Sequence, residues 1–324
     1  MNKSIVFMFS GQGSQYYSMG KELFLNNPLF KEWMLKLDNI YYNLSGSSVI
    51  DNMYVSNNIK ERFDNIFHTH PAIFMLEYSL AQVLLHNGIY PEYVLGSSLG
   101  EFAACAVSGV MDFTEAMECI YQQAQIIKEK CCEGRMLAIL NNYSSFHDVS
   151  VLHNNSELAS VNFESHFVVS GKTESISEIK NYLKENRCAH QLLPVKYAFH
   201  SSLIEAAASD YKQFLRHRVF KKPQVKYVSC SCEKNTSPCD TEFLWNVVRY
   251  PMDIRNSVLN IENKEDLIYI DLGPMGTFGN FIKYNIGDKY NSQIFTIVTP
   301  FSSDNKNLED KTLKVLKDMD VRLS

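Results

Sequence analysis

Residues 93–107 read Tyr-Val-Leu-Gly-Ser-Ser-Leu-Gly-Glu-Phe-Ala-Ala-Cys-Ala-Val, and the order of elements within this stretch indicates the fold class. Its apolar start, Tyr93–Leu95, predicts a short strand. Its end, Glu101–Val107, is small and apolar enough to predict a tightly packed helix. The pentapeptide Gly96-Ser-Ser-Leu-Gly100 lies between them as a tight turn. A strand, a turn and a helix in succession indicate an α/β core with parallel strands.

The segments on either side extend this core. Ile5–Phe9 is an apolar run that predicts a buried first strand, and Gly11-Gln12-Gly13 follows it as a turn. In Pro71–His86, apolar residues recur at helical spacing. The polar C-terminal end is expected to be peripheral. The remaining core elements are predicted as helices at Thr114–Lys130, Ser201–Leu215, Phe243–Val248, Arg255–Ile261 and Phe278–Lys283, and as strands at Val225–Ser229 and Leu267–Asp271.

A second unit interrupts the core. Its predicted elements are strand Met136–Leu140, helix Tyr143–Leu152, strands Leu158–Phe163 and Phe167–Ser170, helix Glu174–Asn186 and strand His190–Val195. This βαββαβ order is the ferredoxin-like pattern. We therefore predict an α/β fold with a large subdomain, residues 1–133 and 195–324, and an inserted ferredoxin-like small subdomain, residues 134–194.

The bulk composition limits the classes of function. The chain has 324 residues, of which 45% are hydrophobic and 21% charged, as is typical of a globular protein with a sizeable core. A net charge of −5 argues against nucleic acid as the main partner, and no apolar stretch is long enough to cross a membrane. The eight cysteines are scattered without CxxC pairs, which favours reduced thiols and a cytoplasmic location over a secreted disulfide framework.

The turn at residues 96–100 fits the G-x-S-x-G pattern of a nucleophile elbow. In such an elbow a strained backbone exposes the central serine, here Ser98. The helix N-terminus beside it offers free N–H groups to an oxyanion. The alternative interpretation is an arbitrary Gly/Ser turn, but the position between a strand and a small-residue helix favours Ser98 as a nucleophile.

A serine nucleophile needs a general base, and His200 is the candidate among nine histidines. It follows Tyr197-Ala-Phe199 where the chain leaves the inserted unit, so it can reach a cleft between the two lobes. A histidine beside a phenylalanine is otherwise often structural. His68-Thr-His70 has the spacing of metal ligands, but no cysteine or carboxylate cluster completes such a site. We therefore predict neither a metal nor another cofactor.

The loop Gly11-Gln12-Gly13 also allows two interpretations. It is either a plain turn, or a loop whose backbone approaches the substrate closely and completes an oxyanion hole with an N–H group. It is not a phosphate loop, since no Gly-Lys-Ser/Thr follows.

An ordered set of motifs carries a resemblance to a known family. The set comprises Gly11-Gln-Gly-Ser-Gln15, Thr69-His-Pro-Ala72, Gly96-Ser-Ser-Leu-Gly-Glu101, Asn162 with Val169-Ser-Gly171, Tyr197-Ala-Phe-His200 and Asp271-Leu-Gly-Pro274. Over nearly the whole chain it resembles the malonyl-CoA:acyl-carrier-protein acyltransferases, including those that act in trans on modular polyketide synthases. The resemblance implies an α/β-hydrolase-like large subdomain with a ferredoxin-like small subdomain.

The resemblance also implies roles for particular residues. Ser98 would be the nucleophile and His200 its base. The backbone N–H groups of Gln12 and Leu99 would form the oxyanion hole. A backbone carbonyl would orient the histidine, and a loose alignment places it near Tyr250.

Three departures from the family pattern bear on the substrate. Ser97 stands in the middle of the family's Gly-His-Ser, and His70 replaces a glutamine. Gln123 aligns with the arginine that binds the free carboxylate of malonyl groups, and the only arginine nearby, Arg135, lies beyond the helix. An unpaired buried carboxylate costs several kcal/mol, so neutral acyl groups should bind better unless another cation compensates. The predicted substrate-binding residues are Gln123, Ser97, His70, Tyr197 and Phe199.

Glutamine at this position resembles the acyl hydrolases of trans-acyltransferase polyketide pathways, which remove stalled acyl groups from carrier proteins. Three functions remain open. The chain is an acyl hydrolase that edits carrier-bound thioesters, an acyltransferase that moves neutral or malonyl units from CoA to a carrier protein, or a non-catalytic scaffold that binds carrier proteins. A scaffold would not need Ser98 and His200, which favours the two enzymes.

The implied partner is an acyl carrier protein, whose phosphopantetheine arm holds the substrate. Carrier proteins are acidic as a class, so docking on this acidic chain needs a local basic surface. The alternative interpretation of such a segment is a solvated helix end. The predicted docking residues, between which no acidic residue occurs, are Lys212, Arg216, Arg218, Lys221, Lys222 and Lys226.

Overall fold

The structure is a computed structural model that describes residues 3–55, 62–232, 237–263, 265–301 and 303–320. Its strands are β1 (Ser4–Phe9), β2 (Tyr93–Gly96), β3 (Arg135–Ile139), β4 (Glu157–Phe163), β5 (His166–Gly171), β6 (His190–Leu192), β7 (Lys226–Ser229), β8 (Met252–Asp253), β9 (Leu267–Asp271) and β10 (Gln293–Thr296). Its helices are α1 (Lys21–Asn26), α2 (Pro28–Ser45), α3 (Val49–Tyr54), α4 (Ile66–His86), α5 (Gly100–Val107), α6 (Phe113–Lys130), α7 (Ser145–Asp148), α8 (Ser150–His153), α9 (Thr173–Glu185), α10 (Ala208–Leu215), α11 (Phe243–Arg249), α12 (Ile254–Glu262), α13 (Thr277–Ile286) and α14 (Asp304–Asp320).

The first sheet is parallel and has the order β10-β9-β1-β2-β7. The central strand β1 pairs on both sides, with Phe7 opposite Val94 and Ile270. Its residues from Ile5 to Phe9 are completely buried, as expected of a parallel strand whose two faces are both covered. Since parallel strands end at the same edge of a sheet, the loops after β1, β2 and β9 meet there.

The second sheet has the order β6-β3-β5-β4-β8. The strands β6, β3, β5 and β4 are antiparallel neighbours and follow the ferredoxin-like order. The fifth strand, β8, comes from the chain after the insert and pairs parallel to β4, with Ser160 opposite Met252. The predicted α/β fold class is confirmed, whereas the subdomain boundaries at 134 and 194 remain predictions.

Several elements differ from the sequence prediction. Helix α4 begins at Ile66, five residues before Pro71, because the Asn65 side chain caps it. Pro71 cannot donate to the carbonyl of Phe67, and the Tyr41 hydroxyl donates to that oxygen instead at 2.5 Å.

The predicted helix Tyr143–Leu152 is two single turns, α7 and α8, because Val149 between them is extended. The predicted helix Ser201–Leu215 begins as a 3₁₀ turn before α10. The polar C-terminal end was expected to be peripheral, but it forms α14 and buries Leu308 and Val315. None of the helices within the described residues is long and apolar enough to cross a membrane.

Candidate active site

Ser98 stands at the tip of the turn between β2 and α5. Its φ of 53° lies in the left-handed region, which a non-glycine residue enters at a cost of roughly 1–2 kcal/mol. The flanking chain is very close: a Cβ on Gly100 would lie 2.1 Å from the carbonyl oxygen of Phe9, and one on Gly11 would lie 2.9 Å from the Cβ of Ser98. The glycines therefore allow the loop after β1 to lie directly against the elbow serine.

His200 is placed to accept the proton of Ser98. Its Nε2 lies 2.8 Å from the Ser98 Oγ, and its Nδ1 lies 2.8 Å from the carbonyl oxygen of Tyr250. Because a carbonyl only accepts, Nδ1 carries the hydrogen and Nε2 is free to accept the serine proton. His200 also has a left-handed backbone, with a φ of 60°, and its N–H donates to the Val248 carbonyl at 2.9 Å.

Burial keeps this imidazole neutral. It lowers the pKa of His200 from 6.5 to about 4, and the positive charge of Arg249 acts in the same direction. The hydrogen bond to the Tyr250 carbonyl opposes the shift but does not cancel it. His200 is therefore available as a base at neutral pH.

Two backbone N–H groups beside Ser98 are unused. Within the residues that the structure describes, neither Gln12 nor Leu99 donates its N–H to another protein group. The Gln12 loop is held from below by the buried carboxylate of Glu77, which accepts the N–H of Ser10 at 2.5 Å. From the side, the Gln12 amide donates to the Thr69 hydroxyl at 3.0 Å. This geometry suits an oxyanion hole.

Ser98 and His200 lie in a cleft lined by both subdomains. The small sheet contributes Met136, Ala138 and Val168, while α13 contributes Phe278 and Phe281. Across the described ranges, no lysine, arginine, aspartate or glutamate lines this cleft.

Arg135 does not supply the cation that Gln123 lacks. Its guanidinium donates to the Val195 carbonyl at 3.2 Å and lies 3.9 Å from the carboxylate of Glu133, and the residue is not part of the cleft lining. A free carboxylate in the cleft would therefore have no cationic side chain to pair with.

Four of the five predicted substrate-binding residues line the cleft. Ser97, His70, Gln123 and Phe199 do so, and the Ser97 hydroxyl lies 3.3 Å from the Met252 sulfur. Tyr197 is not part of the lining. Its ring packs edge-on against Phe199, with centroids 6.3 Å apart, so its contact with substrate is not supported by this geometry.

Sequence reasoning missed a chain of hydrogen bonds on the opposite wall. The Ser160 hydroxyl donates to the Asn162 side-chain oxygen at 2.6 Å, and the Asn162 amide donates to His166 Nδ1 at 2.9 Å. His166 therefore carries its hydrogen on Nε2 when neutral, and burial lowers its pKa. Asn162 stood in the motif set, but only pairing between β4 and β5 brings His166 beside it.

The basic segment is less free than its sequence suggests. Ion pairs with acids from elsewhere in the fold join Lys212 to Glu242, Arg218 to Glu118 and Lys226 to Glu265. The exposed members without an ion pair to any described residue are Arg216, Lys221 and Lys222. These three remain as the predicted docking residues.

Comparison with known proteins gives a consistent result. The sequence profile of the acyl transferase domain matches residues 6–321. The chain is 48% identical over 309 residues to the polyketide biosynthesis acyltransferase homolog PksD of Bacillus subtilis (strain 168), covering 95% of each. It is 44% identical to the homolog BaeD of Bacillus velezensis (strain DSM 23117 / BGSC 10A6 / LMG 26770 / FZB42), covering 95% of this chain and 96% of the relative.

Solved structures show the same fold at low identity. The loading acyltransferase of the avermectin modular polyketide synthase superimposes with a TM-score of 0.87 at 19% identity, covering 96% of this chain and 99% of that one. The malonyl CoA-acyl carrier protein transacylase of Coxiella burnetii gives 0.80 at 22% identity, covering 97% and 98%.

Proposed function

We propose that this chain, which belongs to the acyl transferase domain family and is an enzyme of that family, removes neutral acyl groups from acyl carrier proteins through an acyl-enzyme on Ser98. The relatives at 44–48% identity are named for polyketide biosynthesis, which supports a polyketide pathway as the setting. Seen this way, the substrate is a thioester on the phosphopantetheine arm of a carrier protein.

The reaction follows from the geometry of the pair. Ser98 Oγ attacks the thioester carbonyl while His200 Nε2 takes its proton. The oxyanion accepts hydrogen bonds from the N–H groups of Gln12 and Leu99. The carbon–sulfur bond breaks, and His200 returns the proton to the departing thiolate. Water, deprotonated by His200, then attacks the serine ester, and the acid leaves as Ser98 regains its proton.

One observation carries the preference for neutral acyl groups: no charged side chain of the described residues lines the cleft. Gln123 is buried where the family resemblance expects an arginine, and Arg135 faces elsewhere. Moving a malonyl carboxylate out of water without a cation to pair with costs several kcal/mol.

A second candidate is transfer of the acyl group to another thiol. The family membership and the names of the relatives favour it, since both describe acyltransferases. It shares every step up to the acyl-enzyme and differs in the acceptor. A purely structural scaffold is disfavoured, because the hydrogen-bonded Ser98–His200 pair serves no purpose in binding alone.

Time-resolved intact-protein mass spectrometry separates these functions. The protein is mixed with acetyl-, butyryl- or malonyl-carrier protein, with and without an unacylated carrier protein as acceptor. We expect acetyl and butyryl adducts on the wild type that decay to free acid at the same rate with and without acceptor. Ser98→Ala should form no adduct, whereas Ser145→Ala, which alters a serine outside the cleft lining, should label normally.

Gln123→Arg provides the matched test of substrate charge. The new guanidinium should raise malonyl loading of Ser98 at least about tenfold and lower butyryl loading. Adducts that decay only when acceptor is present would identify a transferase. Malonyl as the sole group loaded onto the wild type would overturn the proposal.

A further inference from the structure

Four polar side chains that line the cleft have a buried atom without a hydrogen-bond partner among the described residues, and two of these atoms are the Ser10 hydroxyl and the Gln12 side-chain oxygen. The other two side chains are His70 on α4 and Gln123 on α6, each with 1% of its surface exposed. Neither ring nitrogen of His70 is paired, and the side-chain oxygen of Gln123 has no partner either. Buried polar groups in proteins are nearly always hydrogen-bonded, so several exceptions in one cleft require an explanation.

The His70 ring is neutral and offers one donor and one acceptor. Burial lowers the pKa of His70 from 6.5 to about 3, so the ring is uncharged at neutral pH. Its ring packs against Phe199, with centroids 5.7 Å apart, which fixes an apolar surface on one side. A neutral imidazole cannot neutralise an acidic substrate, but it can share a hydrogen bond with a neutral one.

The Gln123 amide offers a carbonyl oxygen and an N–H₂ group. The N–H₂ group lies against the Tyr211 hydroxyl, whose oxygen accepts from it and whose own proton goes to the Cys119 carbonyl at 3.1 Å. The Gln123 carbonyl oxygen is left without a partner among the described residues. The side-chain oxygen of Gln12, in the same cleft, is also buried and unpaired. This wall of the cleft therefore presents donors and acceptors together, and all of them are uncharged.

The opposite wall shows that unpaired groups are not a general property of the cleft. There the Ser160, Asn162 and His166 side chains are joined in a continuous hydrogen-bonded chain. The unpaired atoms of His70 and Gln123 lie on the side where the family resemblance places the acyl group, whereas the Ser10 hydroxyl lies beside Gly273. What they would bind is thus part of the acyl chain rather than the pantetheine arm.

From these observations we infer that the enzyme selects acyl chains that carry a hydroxyl group. A hydroxyl both donates and accepts, so it can donate to the Gln123 or Gln12 oxygen and accept from the His70 N–H at once. A plain alkyl chain leaves these groups buried and unpaired, and a carboxylate meets no cation. Sites built to hydrogen-bond a substrate hydroxyl discriminate strongly against the analogue that lacks it. The inference rests on the proposed function only in that the substrate is an acyl thioester.

The test compares 3-hydroxybutyryl- and butyryl-pantetheine, which differ by one oxygen. The measured quantity is the second-order rate constant for acylation of Ser98, followed by intact-protein mass spectrometry in single turnover. We expect the wild type to favour the hydroxyl-bearing thioester about tenfold or more. In Gln123→Leu the preference should fall to about one, and in His70→Phe it should fall part of the way.

Gln125→Leu is the matched control, since it makes the same change on the exposed side of the same helix. It should keep the wild-type preference. Circular dichroism and urea unfolding show that Gln123→Leu and His70→Phe are folded. A wild-type ratio near one, or a ratio unchanged in both Gln123→Leu and His70→Phe, overturns the inference.

Because only acylation is measured, the outcome is independent of where the acyl group goes next. A strong hydroxyl preference with release only to a thiol supports the inference and rejects hydrolysis. Equal loading of both thioesters followed by release to water rejects the inference and supports hydrolysis.

Discussion

At the residue scale, the site depends on two strained residues. Ser98 and His200 both have left-handed backbones, and each holds one end of a 2.8 Å hydrogen bond. Strained conformations persist where the surrounding structure imposes them. Here the close approach of Gly11 to Ser98 and the Val248 carbonyl bound to the His200 N–H impose them.

The lowered pKa of His200 predicts an unusual pH dependence. Only the neutral imidazole accepts the Ser98 proton, so the acylation rate should stay constant from pH 8 to about pH 5. It should then fall as the pH approaches the pKa of about 4. The measurement is the rate of Ser98 acylation by an uncharged pantetheine thioester at each pH. Circular dichroism at the same pH values shows that the protein stays folded. A half-maximal rate near pH 6.5, the ordinary pKa of histidine, would contradict the burial argument.

At the element scale, the site depends on how closely α5 lies against β1. A Cβ on Gly100 would lie 2.1 Å from the Phe9 carbonyl oxygen, so even alanine cannot fit without moving the helix. Moving α5 also moves the elbow at its start and the N–H of Leu99.

Gly100→Ala should therefore lower the free energy of unfolding by more than the difference in backbone preference between glycine and alanine. We expect a loss in the free energy of unfolding of about 2–3 kcal/mol or more, together with a loss of Ser98 acylation. Gly46→Ala is the control: Gly46 has a φ of 72° and no atom within 4 Å, so its replacement adds only backbone strain of about 1 kcal/mol. Urea unfolding measures both. Equal losses for the two variants would show that the close approach is unimportant.

The elements also show what a sequence can and cannot predict. The elbow around Ser98 and the ferredoxin-like order were predictable, because both depend on local periodicity and turn residues. Strand β8 was not, because two residues pair with β4 only once the subdomains are folded. The Ser98–His200 pair could be inferred, because each residue stands in a recognisable motif. The role of Asn162 in orienting His166 could not, because no local pattern marks that contact.

At the scale of the whole molecule, buried carboxyl groups make stability depend on pH. Glu101, directly after the elbow, is completely buried and accepts hydrogen bonds from the Tyr227 and Ser229 hydroxyls. Burial nevertheless raises its pKa from 4.5 to about 7. The folded protein therefore holds the Glu101 proton more tightly than the unfolded chain does. This adds to the free energy of unfolding in full below pH 4.5, and the contribution is lost as the pH rises through about 7.

Glu101→Gln should remove this loss. We therefore expect the free energy of unfolding of the variant minus that of the wild type to be roughly 2–3 kcal/mol higher at pH 8 than at pH 5. Glu265→Gln is the control. The pKa of Glu265 is lowered by hydrogen bonds from Ser4 and Tyr93, so its contribution is lost only as the pH falls below 4.5. Urea unfolding at both pH values measures the two differences, and an unchanged Glu101→Gln difference would contradict the prediction.

The distribution of charge over the whole molecule bears on carrier-protein docking. The chain has a net charge of −5, and acids from other elements pair with half of the basic segment. The predicted docking surface is thereby reduced to Arg216, Lys221 and Lys222. Changing all three to glutamate should raise the KM for an acyl-carrier protein about tenfold and weaken its dependence on salt. The rate with acyl-pantetheine should not change, because that substrate has no protein to dock.

A second triple variant separates a local surface from overall charge. Lys172→Glu, Lys184→Glu and Arg187→Glu together change the net charge equally but alter exposed residues of the small subdomain around α9. If both triple variants raise the KM for the carrier protein alike, the effect is general repulsion and no docking surface exists at 216–222. If only the first does so, the carrier protein approaches from the side of α10, on the large subdomain, and its arm must reach Ser98 from there.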